Sequence, residues 1–181
     1  MKQPCGDNGW RDVMQPALGI SMYHLLASIN MQDAWKKVKA NNGAPGIDGI
    51  TIQGYPAWIN EHWPRIQKEL QEGSYKPSPV LRCTIPKPNG GKRLLGIPTV
   101  MDRVIQQALL QILTPVFEPV FSEFSFGFRP GRSAHDAVRQ MQQYVKEGYR
   151  IVVDLDIKKF LEPSSYCTSF DEVFSFVGLG A

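Results

Sequence analysis

The sequence predicts an α+β fold, rich in helix with one basic β-hairpin, and three observations carry that expectation. Apolar residues recur at helical spacing through residues 31–72 and again through 100–146. Between these stretches, residues 76–93 hold five bases and no acid, interleaved with Pro77, Pro79, Pro86, Pro88, Gly90 and Gly91, which suits a hairpin better than a helix face. Near the end, the β-branched run IVVDLDIKKF at residues 151–160 reads as a strand.

Taken in order, Asn30 or Ser28 is placed to cap a helix over residues 31–41, with Ala34, Trp35 and Val38 on one side and Lys36, Lys37 and Lys39 elsewhere. The segment NGAPGIDG at 42–49 stops it. Residues 55–72 place Trp58, Ile59, Trp63, Ile66 and Leu70 at helical spacing, with Pro64 expected to kink or restart the helix and Gly73 to cap it. Strands at 80–85 and 93–97 flank Asn89-Gly90-Gly91, residues that favour the positive φ of a tight turn. Thr99 with Asp102 resembles a capping box opening a helix over 100–113, its stripe formed by Val100, Val104, Ala108 and Ile112. Ser133 with Asp136 opens another, reaching Lys146 before Gly148. No internal repeat or low-complexity tract occurs.

At 181 residues, with 43% hydrophobic and 20% charged, the chain can bury a core of one domain or one and a fraction. Cys5, Cys83 and Cys167 are odd in number and scattered, which argues for reduced thiols rather than a disulfide framework or clustered zinc site. No run approaches the roughly 18 apolar residues of a spanning helix, and residues 1–30 lack a signal-like apolar stretch behind a basic start, so a cytoplasmic protein without membrane insertion is expected. The net charge of +3 is uneven. All Lys and Arg lie in residues 1–160, whereas 161–181 hold three acids and no base. Scattered lysines ordinarily mean a solvated surface, but the acid-free run 76–93 concentrates positive charge where a polyanion could meet it.

In a strand Asp154 and Asp156 point to the same face. Carboxylates among apolar neighbours need compensation, and a divalent cation supplies it, so a metal site is expected here. Only 25 residues follow Asp156, so most of the ligands and walls that would complete such a site are expected to be missing. Further back, Phe121, Phe124, Phe126 and Phe128 crowd a segment that also holds Arg129 and Arg132. The ordinary reading is a loop pinned to a core by its rings. The functional one has the arginines donating to phosphate or sugar while rings stack on bases.

Five blocks, NGAPGIDG (42–49), IPKPNGGKRLLGIP (85–98), DRVIQQA (102–108), SFGFRPGRSAHDA (125–137) and VVDLDIKKF (152–160), occur in the order and spacing of bacterial group II intron-encoded reverse transcriptases, or intron maturases. From about residue 25 to 160 the chain closely resembles that family. The resemblance implies part of a right-hand polymerase: an unassigned leader (1–24), an N-terminal extension with a template-facing loop (25–75), reverse transcriptase fingers with the first palm strand (76–160), and a tail outside the family pattern (161–181). It implies RNA-directed DNA synthesis with an intron RNA template, a DNA primer, deoxynucleoside triphosphates and Mg²⁺. The family's first palm aspartate, catalytic and metal-binding, falls on Asp156, with Asp154 a neighbour at a position the family varies. Lys87 and Arg93 match fingers residues that hold the triphosphate, Ile97 matches a residue near the template base, Asn42 and Gly43 fall in the loop over the template, and Arg129 and Arg132 fall near the template–primer backbone.

After Phe160 the family continues with a second Phe, then Asp and a helix near Val-Asn-His, whereas this chain reads Leu161-Glu162-Pro163-Ser164-Ser165. The family's Tyr-Ala-Asp-Asp strand does not occur in these residues, nor do sequences matching its thumb. A disrupted reading frame and a chain inactive by itself are therefore expected, the alternatives being a residual RNA-binding module or one half of a split polymerase complemented by a separate palm and thumb polypeptide. An Asp-Leu-Asp strand also opens haloacid dehalogenase-like phosphatases. That fold needs on the order of a hundred residues beyond the strand, and 25 are present.

Overall fold

In the computed structural model, residues 19–86, 88 and 90–155 are described. The order is α1 (Met22–Leu26), α2 (Ser28–Asn41), α3 (Tyr55–Gln71), β1 (Leu81–Pro86), β2 (Lys92–Ile97), α4 (Val100–Phe117), a 3₁₀ turn (Glu118–Val120) and α5 (Ala134–Lys146). The expected mixture of helices with one small sheet is what forms. Packing divides the chain into two units at Ile112/Leu113, inside α4. Residues on either side of the expected 75/76 boundary pack within the first of them.

The first unit has the core. Leu25, Ala34, Val38, Ile52, Tyr55, Ile66, Leu70, Val100, Met101, Val104, Ile105, Ala108 and Leu109 are all buried. The buried face of α4 is broader than the expected stripe, since Met101, Ile105 and Leu109 join it while Ile112 is only half-buried. Trp35 of α2 packs on Tyr55 of α3 with ring centroids 4.6 Å apart. α3 runs unbroken through Pro64, so the expected restart does not occur. Its end is closed as expected by Gly73, whose φ of 66° is open to glycine and whose N–H donates to the Leu70 carbonyl at 3.2 Å.

The α2 cap also differs from expectation. The helix begins at Ser28 with Ala27 as N-cap and no side-chain cap bond. Asn30 instead works across the fold: its amide donates to the carbonyls of Leu25 (2.9 Å) and Ala108 (3.2 Å), and Gln111 donates to its Oδ1 at 2.8 Å. An Asn that can satisfy carbonyls at the end of α1 and along α4 does more in the interior than at an exposed terminus.

A second polar group anchors the entry to the hairpin. Asp102, 1% exposed, accepts from Tyr75 Oη (2.8 Å), Thr99 Oγ1 (2.6 Å) and the Ser78 backbone N–H (3.2 Å), and its own N–H donates to Thr99 Oγ1 at 3.1 Å. The Thr99–Asp102 pair therefore opens α4 as expected and also ties residues 75–78 to it. β1 and β2 pair antiparallel from Leu81↔Ile97 to Pro86↔Lys92. The last pair leaves residues 87–91 between the strands; Gly90 takes φ 79°, and Asn89 of the expected turn lies outside the described residues. Cys83 on β1 is a free thiol.

Burial pushes the Tyr55 hydroxyl far above its ordinary value of 10. Tyr75 is also pushed far up, by burial first and then by the Asp102 carboxylate. Unfolded tyrosines ionise near 10 while these two keep their protons, so their contribution is complete below pH 10 and is lost as pH rises above it. The slope is about 1.4 kcal/mol per pH unit for each such group. We expect Tyr55→Phe, which gives up only a 3.2 Å bond to the weakly accepting Met101 sulfur, to leave urea stability at pH 7 within about 1 kcal/mol and to flatten the alkaline fall. An unchanged alkaline slope would remove Tyr55 from this account.

In the second unit α5 forms over the expected residues. Ser133 Oγ accepts from the Asp136 N–H at 3.3 Å, and the Asp136 carboxylate accepts from the Ser133 hydroxyl at 2.7 Å and the Ser133 N–H at 2.9 Å; these last two bonds, the hydroxyl's first, hold the carboxyl below its usual range. Val138, Met141 and Val145 lie along one face of α5 and are exposed. Residues 151–155 are not in a strand, and Ile151, Val152, Val153 and Leu155 are exposed. This corrects the strand expectation for the described half of the 151–160 run: a strand exists through its ladder partner, and none pairs with 151–155 among the described residues. No helix among the described residues is long and apolar enough to cross a membrane.

Candidate nucleic-acid interface

The hairpin sorts its side chains by register. Arg93, Leu95 and Ile97 share one face with their partners Ile85, Cys83 and Leu81, and Lys92, Leu94 and Gly96 share the other with Pro86, Thr84 and Arg82. Arg93 and Ile97 thus stand on the same face, four residues or about 13 Å apart along β2. Ile97, at the base, is half-buried, while Arg93, near the tip, is exposed. No acid falls on either strand, and Lys87 lies outside the described residues.

Beside the base of the hairpin sits the loop 42–49. Asn42 leaves α2 in the left-handed region (φ 44°) and its N–H closes the helix on the Lys39 carbonyl at 3.1 Å. Gly46 is buried against the chain between β2 and α4, where an added Cβ would lie 2.7 Å from both Thr99 Cα and Thr99 N. Only glycine permits this approach, because the obstacle is backbone. The structure therefore brings Asn42, Gly43 and Ile97 into one region of the first unit: the loop seats on Thr99, two residues beyond Ile97. Beyond the seat the loop turns on the Gly49 N–H to Gly46 carbonyl bond (3.2 Å) and the Ile50 N–H to Asp48 Oδ1 bond (3.2 Å), with Ile47 exposed.

Arg129 and Arg132 belong to the second unit and differ in environment. The Arg129 side chain is 8% exposed. Its Nε and Nη2 donate to Glu118 Oε1 (3.0 and 2.7 Å), Nη2 also reaches the Glu118 carbonyl (3.3 Å), and Nη1 serves the carbonyls of Ser122 (2.6 Å) and Ser125 (2.9 Å). All five donors are committed inside the protein, so a direct bond from Arg129 to phosphate would have to displace one of these partners. The ordinary reading, a loop pinned to a core by its rings, does not hold: Phe121, Phe124 and Phe128 are exposed and Phe126 is only half-buried, and it is the Arg129 guanidinium that ties the loop's carbonyls together. Arg132 is exposed, donates through Nη1 to the Glu123 carbonyl at 2.8 Å, and lies 5.6 Å from the Phe126 ring centroid. With Gly131, Asp136, Arg139 and Gln140 it lines a surface groove of about 530 Å³.

Asp156 lies outside the described residues. Among those described, no group of three or more His, Cys, Asp or Glu side chains could hold a metal ion, and Asp154 is exposed. The described side chains do not fit a divalent cation.

Two residues here carry roles that the periodicity reading did not assign. Asp102 reads as a helix cap from its spacing to Thr99, and its bonds to Tyr75 and Ser78 leave no local signal. Arg103 is equally silent in sequence: its Nη2 donates to the Ala44 carbonyl at 2.8 Å from 59 residues away.

Residues 85–161 match the family model described as reverse transcriptase (RNA-dependent DNA polymerase). The group II intron-encoded protein LtrA of Lactococcus lactis subsp. cremoris is 41% identical over 126 residues, covering 69% of this chain and 21% of its own length. Protein YkfC of Escherichia coli (strain K12) is 41% identical over 98 residues, covering 54% of this chain and 26% of its own length. The mitochondrial nuclear intron maturase 2 of Arabidopsis thaliana is 43% identical over 60 residues, covering 29% of this chain and 8% of its own length. The chain thus spans about a quarter or less of the length of these curated relatives.

Proposed function

The chain belongs with the group II intron-encoded reverse transcriptases and maturases, and on that premise we propose that it supplies the template- and nucleotide-facing fingers surface of an RNA-directed DNA polymerase. The observation that supports this most is the hairpin together with its neighbour. An acid-free pair of strands carries Arg93 on the same face as Ile97, and the loop bearing Asn42 and Gly43 is seated two residues from Ile97. In this reading Arg93 offers a planar fork and Lys87 a point charge to the oxygens of a nucleoside triphosphate. Ile97 packs near the template base, and Asn42 and Gly43 face the template strand.

Arg132, exposed and keeping further donors, meets the template–primer backbone. Arg129 holds the loop that presents it. The partners are an intron RNA template, a DNA primer and deoxynucleoside triphosphates, with the family's Mg²⁺ and Asp156 belonging to the reaction of the complete polymerase. Cytoplasmic residence is part of the same proposal.

These 181 residues carry one of the family's catalytic aspartates, so the activity we assign to them alone is RNA binding without polymerisation. Binding of a structured RNA should weaken as salt rises, the slope of log K against log salt reporting the phosphates neutralised. The double substitution Lys87→Ala, Arg93→Ala is expected to reduce that slope by about 1 per residue replaced. Unchanged affinity and slope would remove the hairpin from the RNA-facing surface.

A further inference from the structure

Arg103 sits in the first turns of α4, and its side chain turns away from the helix core to meet the loop 42–49. Nη2 donates to the Ala44 carbonyl at 2.8 Å, and Nη1 occupies the space that a Cβ at position 43 would enter. The guanidinium is therefore wedged against two consecutive residues of the loop, and the glycine at 43 is what leaves room for it. Its Nε is buried with no acceptor, so the pose is held through the Nη contacts. Burial draws the Arg103 pKa down, and the Asp48 carboxylate, contributed by the same loop, opposes that shift. A charged group placed half-buried with one donor unsatisfied is accepted only where its remaining contacts repay the desolvation. Here its hydrogen-bond acceptor, Ala44, and its nearby carboxylate, Asp48, belong to one loop. Gly46 fixes that loop's middle on Thr99, four residues before Arg103, so the loop is held at two successive points by the start of α4.

We propose that Arg103 is a positioning residue: it acts as a strut that holds the loop 42–49 in the conformation that faces the template. This rests on the template-facing reading of the loop and names the group that sets its geometry.

The test is amide exchange in the full 181-residue chain, read at Gly49 and Ile50, whose N–H groups are bonded inside the loop to the Gly46 carbonyl and Asp48 Oδ1. Arg103→Ala is expected to speed both by about tenfold, the scale of losing a charge-assisted hydrogen bond, while amides within α4 such as Ile105 keep their rates. Gly43→Ala should act in the same direction, because its methyl displaces Nη1 while every residue of α4 is kept. RNA affinity should fall by about tenfold in Arg103→Ala, and Arg103→Lys, which keeps the charge and loses the fork, should recover only part of it. Unchanged exchange at Gly49 and Ile50 in both Arg103→Ala and Gly43→Ala would overturn the proposal. So would an Arg103→Lys chain with fast loop exchange and full RNA affinity, since Arg103 would then act by charge alone. Faster loop exchange in a chain whose unsubstituted form binds no RNA would uphold the strut and sink the template-facing reading.

Discussion

Replacing Asp102 by Ala is expected to destabilise the first unit by about 4 kcal/mol, among the largest effects a single substitution can have here. The change leaves Tyr75 Oη and Thr99 Oγ1 without their acceptor in the interior and frees the Ser78 N–H, three donors that all converge on this carboxylate. Each buried donor stripped of its partner costs about 1–3 kcal/mol, the bonds to a charged acceptor lying at the upper end. Asp102→Asn should cost less, about 2 kcal/mol, because one oxygen still accepts while its amide opposes the remaining donors. Thr99→Val, which removes one hydroxyl and keeps the carboxylate bonded to Tyr75 and Ser78, should cost about 1 kcal/mol. Urea unfolding followed by tryptophan fluorescence reads the series, since Trp35, Trp58 and Trp63 all lie in this unit. A loss below about 1 kcal/mol in Asp102→Ala would mean that residues 75–78 are held to α4 by something other than this group.

What could be read from the sequence divides along a physical line. Local signals were legible. The helix over 134–146 announced itself through Ser133 and Asp136, the end of α3 through Gly73, and the hairpin through its prolines, glycines and flanking β-branched residues, because each of these acts within a few positions of itself. Asn30 departs from the local pattern for the opposite reason. Its residue type suits a cap, but its amide meets acceptors as far away as Ala108, and no local pattern reports a partner 78 residues on.

The run at 151–155 shows a third case. Its composition favours a strand, and strand formation depends on a partner that local composition does not supply. The site followed the same division. Arg93 and Ile97 fall on one face through the period-2 alternation of β2, which the sequence displays. The seating of Gly46 on Thr99 and the reach of Arg103 to Ala44 depend on how α4 packs beside the loop. The resemblance to the intron-encoded polymerases pointed to Arg129 as a contact to nucleic acid, and its five committed donors give it a structural task first.

The central claim is that these residues furnish one face of a polymerase whose reaction also requires further family sequence. The most direct measurement is extension of a DNA primer on an RNA template, with Mg²⁺ and deoxynucleoside triphosphates, by the 181-residue chain alone and by the same chain mixed with a polypeptide that supplies the remaining length of a group II intron relative. The account predicts no detectable extension by the chain alone. In the mixture it predicts extension that falls by about a thousandfold with Asp156→Ala, the scale expected when a group that acts only in the transition state is removed. Extension by the isolated chain that vanishes with Asp156→Ala would contradict it.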